Sequence, residues 1–137
     1  MNFVELYAEF CFNYLKCLRE ASSSLHITQS QALCIQSIPY DGITQIELAQ
    51  KIGIDVSTLS RNLDKLLSKE FIKKTQSDRD KRAYVIKLTK KGHQLYIMIH
   101  NQLNDFLKDI HTSLNLDEMN LINDLLNKIN WEFTLRN

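Results

Sequence analysis

The stretch from Thr44 to Leu67 constrains the fold most, because two short helical patterns are separated there by a single glycine. Thr44 and Glu47 have the spacing of a capping box, which marks the start of a helix. Gly53 accepts a positive φ at little cost, so the chain is expected to reverse there, with Ile54 filling the crease between the helices. The inward positions of the first helix are Leu48, Ala49 and Ile52. This pattern predicts a helix-turn-helix.

The second helix of the pair has one apolar face and one polar face. Either Asp55 or Ser57 is expected to cap it. The predicted buried stripe consists of Val56, Leu59, Leu63, Leu66 and Leu67. The opposite face carries Ser57, Thr58, Ser60, Arg61, Asn62, Asp64 and Lys65. A face that meets only solvent more often carries Glu and Lys, so these short hydrogen-bonding side chains indicate a recognition surface.

A β-hairpin is predicted directly after this helix, from residues 71–76 and 83–88. The second of these segments alternates with a period of two. The loop between them, residues 77–82, contains three cations within four residues: Arg79, Lys81 and Arg82. Next to a helix-turn-helix, this hairpin is predicted to be a basic wing. The alternative is a solvated hairpin tip.

The charge of the chain is unevenly distributed. Residues 44–92 contain 12 Lys and Arg and 6 Asp and Glu, a net charge of +6, whereas the rest of the chain carries −5 and the whole carries +1. A basic centre between acidic flanks suits a polyanionic partner for the centre. Chance clustering of solvated lysines is the alternative.

The flanking regions have apolar helical faces. One stripe consists of Phe3, Leu6, Tyr7, Phe10, Tyr14, Cys17 and Leu18, and it ends at residues 22–24. Thr28 and Gln31 form another capping box, which starts a helix to about Ser37 with Leu33, Cys34 and Ile38 inward. Residues 90–112 approximate a heptad pattern through Leu95, Ile99, Leu103, Phe106 and Ile110. Asp117 is the expected N-cap of a last helix with an apolar face of Ile122, Leu125, Leu126, Ile129 and Phe133. Packing between subunits is the economical explanation, and a monomeric helical cap is the alternative.

Several classes of protein are excluded by what the sequence lacks. No apolar run approaches the ~20 residues of a membrane span, so no membrane association is expected. The three cysteines lack C-x-x-C spacing, which argues against a disulfide framework and a zinc ribbon and favours the cytoplasm. The four histidines are not spaced as metal ligands, so no metal site is expected. No Gly-rich phosphate loop, nucleophile motif or acid pair is present, so we expect neither an enzyme nor a cofactor.

These motifs together resemble one known family, the MarR (multiple antibiotic resistance regulator) transcription factors. The resemblance covers nearly the whole chain, and its most specific part is the pair of motifs at the wing. The matching motifs are Ile27-Thr28-x-x-Gln31, Thr44-Gln45-x-Glu47-Leu48-Ala49, Ser57-Thr58-Leu59-Ser60-Arg61-x-Leu63-Asp64-x-Leu66, Asp80-x-Arg82 and Leu88-Thr89-x-x-Gly92.

The resemblance implies a mainly α (α+β) fold, a winged helix-turn-helix with N- and C-terminal dimerisation helices in a triangular homodimer. Residues 1–137 would form one MarR-like domain, in which 27–92 are the DNA-binding lobe and 1–26 and 93–137 the dimerisation helices. It would be a sequence-specific regulator of transcription, by default a repressor, that binds a pseudo-palindromic operator in double-stranded DNA. The rival is a winged helix used for protein–protein contact without an operator.

The resemblance also implies a set of DNA-binding residues. Ser57, Thr58, Ser60 and Arg61 would face the major groove, and Arg82 would be the wing arginine, oriented by Asp80. The physics of phosphate and minor-groove recognition adds Thr44, Gln45, Lys65, Lys73, Lys74, Arg79 and Lys81.

The sequence departs from the family pattern at two places, and the resemblance also implies an effector. Many members have Gly where this chain has Glu70; if that position needs a positive φ, Glu70 costs about 1 kcal/mol. The region before Thr28 is short for the family.

Members of such families commonly respond to phenolic ligands, oxidants or metals. The candidate ligand-binding residues are Tyr7, Phe10 and Tyr14, for which core packing is the alternative. Cys11 is the candidate redox residue, and an inert core cysteine is its favoured alternative.

Overall fold

The computed structural model describes all 137 residues, which form six helices and one two-stranded antiparallel sheet. The elements in chain order are α1 (Phe3–Ser24), α2 (Gln29–Ser37), α3 (Gln45–Ile52), α4 (Val56–Ser68), β1 (Ile72–Gln76), β2 (Tyr84–Leu88), α5 (Lys90–Thr112) and α6 (Leu116–Arg136). The chain divides into two compact units, residues 1–103 and residues 104–137. The predicted mainly helical fold with a helix-turn-helix and a β-hairpin wing is confirmed. None of the helices combines the length and apolarity that membrane crossing requires.

Side-chain caps set the start of the helices. Both predicted capping boxes are present: Thr28 Oγ1 accepts from the Gln31 amide at 3.1 Å, and Thr44 Oγ1 accepts from the Glu47 amide at 3.2 Å. Each glutamine or glutamate side chain bonds back to the amide of its threonine. Two further boxes start α1 at Asn2 and α6 at Asn115.

The prediction that Asp117 caps the last helix is wrong. Asn115 is the N-cap, and its side-chain oxygen accepts from the Glu118 amide at 2.9 Å. The Glu118 carboxylate in turn accepts from the Asn115 amide at 3.2 Å. Asp117 lies inside the first turn, where its negative charge is favourable beside the free amides of the helix.

The core of residues 1–103 is formed where α2, α3, α4 and the sheet meet, with α1 packed on α2. Its largest fully buried apolar side chains are Leu18, Ile35, Leu48, Leu59, Leu63, Leu66, Ile86 and Ile99. One predicted inward position is wrong, because Val56 is 46% exposed; Ile110, at 56% exposed, belongs to the stripe for which packing between subunits is expected. Val56 is the first residue of α4 and so precedes the turns that pack, whereas Ile110 lies in the last turn of α5. Ile35, which the pattern of α2 did not single out, is buried instead of the half-buried Leu33.

The sheet is short, and a bridge from the loop before α3 extends it. β1 and β2 pair in antiparallel register from Ile72 opposite Leu88 to Gln76 opposite Tyr84, and each begins one residue later than predicted. Ile43 exchanges two backbone hydrogen bonds with Ile86, at 3.0 and 2.8 Å. The segment just before the helix-turn-helix is therefore hydrogen-bonded to the middle of β2.

The junction between α4 and β1 has an unusual backbone. Glu70 has φ +63°, so the suspected need for a left-handed residue at this position is confirmed. The carbonyl of the next residue, Phe71, lies directly against Gly92 in α5, and a Cβ at Gly92 would overlap the Phe71 carbonyl oxygen. The glycine of the motif Leu88-Thr89-x-x-Gly92 thus permits a close approach of two backbones.

Candidate nucleic-acid interface

The turn between α3 and α4 has the geometry that the sequence predicted. Gly53 ends α3 in the left-handed conformation, with φ +80° and ψ +35°. Its amide donates to the Ala49 carbonyl at 2.9 Å, and the Ile54 amide donates to the same carbonyl at 3.1 Å. The reversal brings α4 across α3 with its N-terminal turn at the protein surface.

Asp55 organises that N-terminal turn, and Ser57 is not the cap. One Asp55 carboxylate oxygen, Oδ1, accepts from the Thr58 amide at 2.7 Å and from the Ser57 hydroxyl at 2.6 Å. The second oxygen, Oδ2, accepts from the Thr58 hydroxyl at 2.8 Å. These hydrogen bonds hold the pKa of Asp55 well below its usual range, because each of them stabilises the ionised carboxylate. The bond from the Ser57 hydroxyl has the largest effect, and the bonds from the Thr58 amide and hydroxyl come next.

One exposed face of α4 combines hydroxyl and cationic groups. Ser57, Arg61 and Lys65 are four residues apart, so they share a face of the helix, and all three are exposed. Ser60 and Thr58 are half-buried beside that face. The structure therefore brings together the residues that were predicted to contact a major groove, with Arg61 one turn beyond the capped end.

The N-terminus of α3 is a second surface element of the helix-turn-helix. Thr44 uses its hydroxyl and its own amide within the capping box. The amides of Gln45 and Ile46 are in the first turn and have no intrahelical acceptor, so they remain available to an anion. Gln45 is itself half-buried.

Hydrogen bonds between residues two or three positions apart order the tip of the wing. Ser77 Oγ accepts from the amides of Arg79 and Asp80, at 3.2 and 3.4 Å. Asp80 Oδ1 accepts from the backbone amide of Arg82 at 2.9 Å. Asp80 thus fixes the main chain at Arg82 and leaves the guanidinium without an ionic partner. The exposed side chains of the wing are Lys73, Lys74, Arg79, Lys81 and Arg82.

Almost none of the positive charge in residues 44–92 is neutralised within the chain. The only ion pair of the protein joins Arg136 to Glu132, at the far end of α6. Two lysines of the basic segment have structural partners instead. Lys51 donates to the Ser37 carbonyl at 2.7 Å, and Lys91 donates to the Lys69 carbonyl at 2.9 Å and lies 4.8 Å from the centre of the Phe71 ring. The remaining cations form a field suited to a phosphate backbone.

Tyr84 is an exposed wing residue that was predicted only as part of a strand. Its side chain is 63% exposed and pairs in register with Gln76, whose side-chain amide donates to the Lys81 carbonyl. Tyr84 precedes the buried Ile86 and Leu88 by two and four residues, so it lies on the same face of the sheet but beyond the core. The sequence pattern did not show where along the strand the buried core ends, so it could not predict that Tyr84 is exposed.

The candidate effector residues lie on α1. Tyr7 and Phe10 are 39% and 60% exposed, whereas Tyr14 is half-buried and its hydroxyl is 3.0 to 3.1 Å from the amide group of Gln36. Cys11 is half-buried beside them. The buried thiol is Cys34, and burial raises its pKa to about 11, which keeps it protonated. No group of three or more potential metal ligands occurs in the chain.

Comparison with known proteins identifies relatives across this whole arrangement. The model of the MarR family matches residues 27–84, which extend from just before α2 to the first residue of β2. The multiple antibiotic resistance protein MarR of Salmonella typhimurium is 34% identical over 109 residues, which are 78% of this chain and 76% of that protein. The crystal structure of wild-type MarR from E. coli, in its apo form, superposes with a TM-score of 0.78 at 27% identity, and covers 94% of this chain and 97% of that one. A mutant E. coli MarR in complex with operator DNA has a TM-score of 0.69 at 29% identity, over 91% of each chain.

Proposed function

Because this chain belongs to the MarR family of DNA-binding transcriptional regulators, we propose that it is a repressor that binds a pseudo-palindromic operator as a homodimer. In this proposal residues 27–92 form the DNA-binding lobe, and residues 1–26 and 93–137 form the dimerisation helices. Repressor and operator meet in the cytoplasm, the reducing compartment that three free thiols suit.

The observation that carries the proposal is the uncompensated positive charge around α4 and the wing. A structural surface would pair many of these cations with the acidic residues of the same chain, yet the chain has a single ion pair, outside this region. α4 offers Arg61 to base edges or phosphates, and the wing offers Arg79 and Arg82 to a narrow minor groove. Lys65, Lys73 and Lys81 are suited to sequence-independent phosphate contacts, and the free amides at the start of α3 to another phosphate.

Two exposed apolar faces support the homodimer. On α1, Phe3, Leu6 and Phe10 are 72%, 55% and 60% exposed. No residue of α6 is buried. In its apolar stripe, Leu125 is 50% exposed and Phe133 is 53% exposed. A soluble chain rarely leaves apolar faces of this extent in contact with water, so each is proposed to pack against a second copy. Two lobes held at a fixed spacing require half-sites about one helical turn, ~10 bp, apart.

The test is a titration of the full chain against duplex DNA from the region upstream of its own gene, at two salt concentrations. Operator binding predicts a saturable complex of two chains per site, whose affinity falls steeply with salt because phosphate contacts release counterions. A scrambled duplex of the same length and composition is the control. Equal binding to both duplexes would overturn sequence-specific recognition. A salt-insensitive complex with a protein and none with DNA would favour the interaction-module alternative.

Release of the operator by an effector is the finer part of the proposal. Tyr7, Phe10 and Tyr14 present aromatic surface that suits a phenolic ligand, and Cys11 is accessible enough to meet an oxidant. Each arm is tested by adding a phenolic acid or peroxide to the preformed operator complex. If the affinity for the operator is unchanged by the phenolic acid or by peroxide, the corresponding ligand or redox hypothesis is overturned, and the proposal of operator binding is unaffected.

A further inference from the structure

The hydroxyl protons at the start of α4 are already committed within the protein. Ser57 donates to Asp55 Oδ1 at 2.6 Å, and Thr58 donates to Asp55 Oδ2 at 2.8 Å. An ionised carboxylate only accepts hydrogen bonds, so both hydroxyls must be the donors in these pairs. Each hydroxyl oxygen keeps its lone pairs and can accept a bond from elsewhere.

Because both hydroxyl protons are engaged by Asp55, the two side chains can hydrogen-bond only to donor groups of the DNA. Phosphate oxygens, guanine O6 and N7, and thymine O4 are acceptors, and they cannot bond to a hydroxyl whose proton is engaged. The donors in the major groove are the exocyclic amino groups, N6 of adenine and N4 of cytosine. Asp55 itself is negatively charged and exposed, which further disfavours a phosphate close to this end of the helix.

We infer that Asp55 is a positioning residue for base readout: it makes Ser57 and Thr58 acceptors, so the base pairs at this end of α4 present an adenine or cytosine amino group. Arg61 is one turn further along the same face and has only donors, so it takes the acceptor edge of a guanine. One helical turn is about 5.4 Å, or between one and two base-pair steps of about 3.4 Å. Each half-site therefore has an amino-bearing base one or two steps from a guanine. The inference rests on the proposed function.

The first experiment selects an operator from random duplex DNA with the full chain and then removes single amino groups from it. Purine replaces adenine and 2-pyrimidinone replaces cytosine, one position at a time, in a labelled duplex. At one or two positions per half-site, loss of the amino group is expected to weaken binding by about fivefold to tenfold, the effect of one hydrogen bond. For Ser57→Ala, the parent and the analogue duplex should bind equally at the position that Ser57 contacts.

Asp55→Asn separates a role in readout from a role in capping. Asparagine remains a good N-cap, and its Oδ1 can still accept from Ser57 and from the Thr58 amide. The amide group that replaces Oδ2 is a donor, so the Thr58 hydroxyl must accept from it and turn its own proton outward. The preferred base opposite Thr58 should then change from an amino-bearing base to guanine or thymine, while the preference opposite Ser57 is kept. A cap with only a structural role would change stability and leave base preference unaltered.

The outcomes distinguish this inference from the proposed function. If the selection enriches no sequence, the proposed function fails and the inference fails with it. If a specific operator is bound but tolerates the loss of every amino group, the inference alone is overturned. An unchanged base preference of Asp55→Asn at the Thr58 position, with the helix content of the wild type, would overturn it equally.

Discussion

The side-chain hydroxyl of Thr89 donates a hydrogen bond to the main-chain carbonyl of Glu70, at 2.6 Å. Thr89 Oγ1 also accepts from the Gly92 amide at 3.0 Å, so the same side chain caps the start of α5. One threonine therefore connects the residue after the last turn of α4 to the first turn of α5. The left-handed backbone at Glu70 is itself closed locally, by the Glu70 amide donating to the Leu67 carbonyl and the Phe71 amide to the Leu66 carbonyl, both at 3.0 Å.

Replacing Glu70 with glycine is expected to stabilise the fold. Glu70 has φ +63°, and an L-residue in that region costs roughly 1–2 kcal/mol that glycine does not. The greater freedom of glycine in the unfolded chain offsets part of this, which leaves a gain of about 0.5–1 kcal/mol. Urea unfolding of Glu70→Gly measures it. Glu70→Ala is the control for the lost charge, since alanine keeps the strain; equal stability of the two variants would contradict the explanation.

Two glycines should respond very differently to substitution by alanine. Gly53 has φ +80° but nothing within 4 Å of an added Cβ, so Gly53→Ala meets backbone strain alone and costs roughly 1–2 kcal/mol. A Cβ at Gly92 collides with the Phe71 carbonyl, so Gly92→Ala forces β1 and α5 apart. We expect a folded but less thermostable Gly53→Ala, and a Gly92→Ala that has lost cooperative melting by circular dichroism. A Gly92→Ala that melts like the wild type would show that this contact relaxes freely.

The predicted DNA contacts should differ in strength and in salt dependence. Arg61→Ala is expected to weaken operator binding by about 1–3 kcal/mol and Lys81→Ala by less, and each lost phosphate contact lowers the salt slope by about 1. Fluorescence anisotropy at several salt concentrations gives both quantities. Lys108→Ala is the matched control, because Lys108 is an exposed lysine outside the basic segment. Wild-type affinity of Arg61→Ala would remove Arg61 from the interface.

The cap at Asp55 should make part of the stability depend on acid. The pKa of Asp55 is lowered in the folded protein, so its contribution is complete above the unfolded pKa of about 3.9 and is lost as pH falls towards the folded pKa. The stability advantage of the wild type over Asp55→Ala is therefore expected to be constant from about pH 7 to pH 5 and to shrink below about pH 4. Urea midpoints across this range test the sign. An advantage that grew on acidification would contradict it.

The proposed homodimer should depend on one face of α1 and not on the other. Phe10 is in register with Tyr7 and Tyr14, whereas Phe12 is flanked by Glu9 and Lys16 on the opposite face. Phe10→Asp removes a buried aromatic from the proposed interface, worth about 1.5–3 kcal/mol, and so should weaken association at least tenfold. Phe12→Asp is the matched control, because Phe12 is equally exposed, at 65% against 60%. Sedimentation velocity distinguishes the two variants; equal dimerisation would place the interface elsewhere.

The features that the sequence predicted correctly depend on residues within three or four positions of one another. The boxes at Thr28 and Thr44 and the turn at Gly53 are of this kind, because their hydrogen bonds close within a single turn. The same local rule, applied to Asn115 and Glu118, would also have located the start of α6. A sequence pattern is thus sufficient to predict a cap or a turn whose hydrogen bonds join residues within one helical turn.

The features that the sequence did not predict involve partners that are distant in sequence. The net charge of +6 stands, because a bond to a carbonyl leaves a lysine charged, but the sequence did not show that carbonyls 14 and 22 residues away hold the side chains of Lys51 and Lys91. Helical spacing assigned Val56 to the buried stripe of α4, but only the packing of neighbouring elements determines where burial begins. The need for a positive φ at Glu70 came from the resemblance, since a glutamate, unlike a glycine, does not indicate a left-handed helix end. The bond from Thr89 to the Glu70 carbonyl spans 19 residues and was not predicted.

The box that begins α6 has a consequence for how the protein is made. Asn115 and Glu118 satisfy the first amides of α6 without any tertiary contact, and no residue of that helix is buried within the chain. The start of α6 is therefore specified as soon as its first turn has been synthesised, before another chain is encountered. In the proposed homodimer, assembly would then join helices whose starts are already specified, at a rate that depends on the concentration of newly made chains.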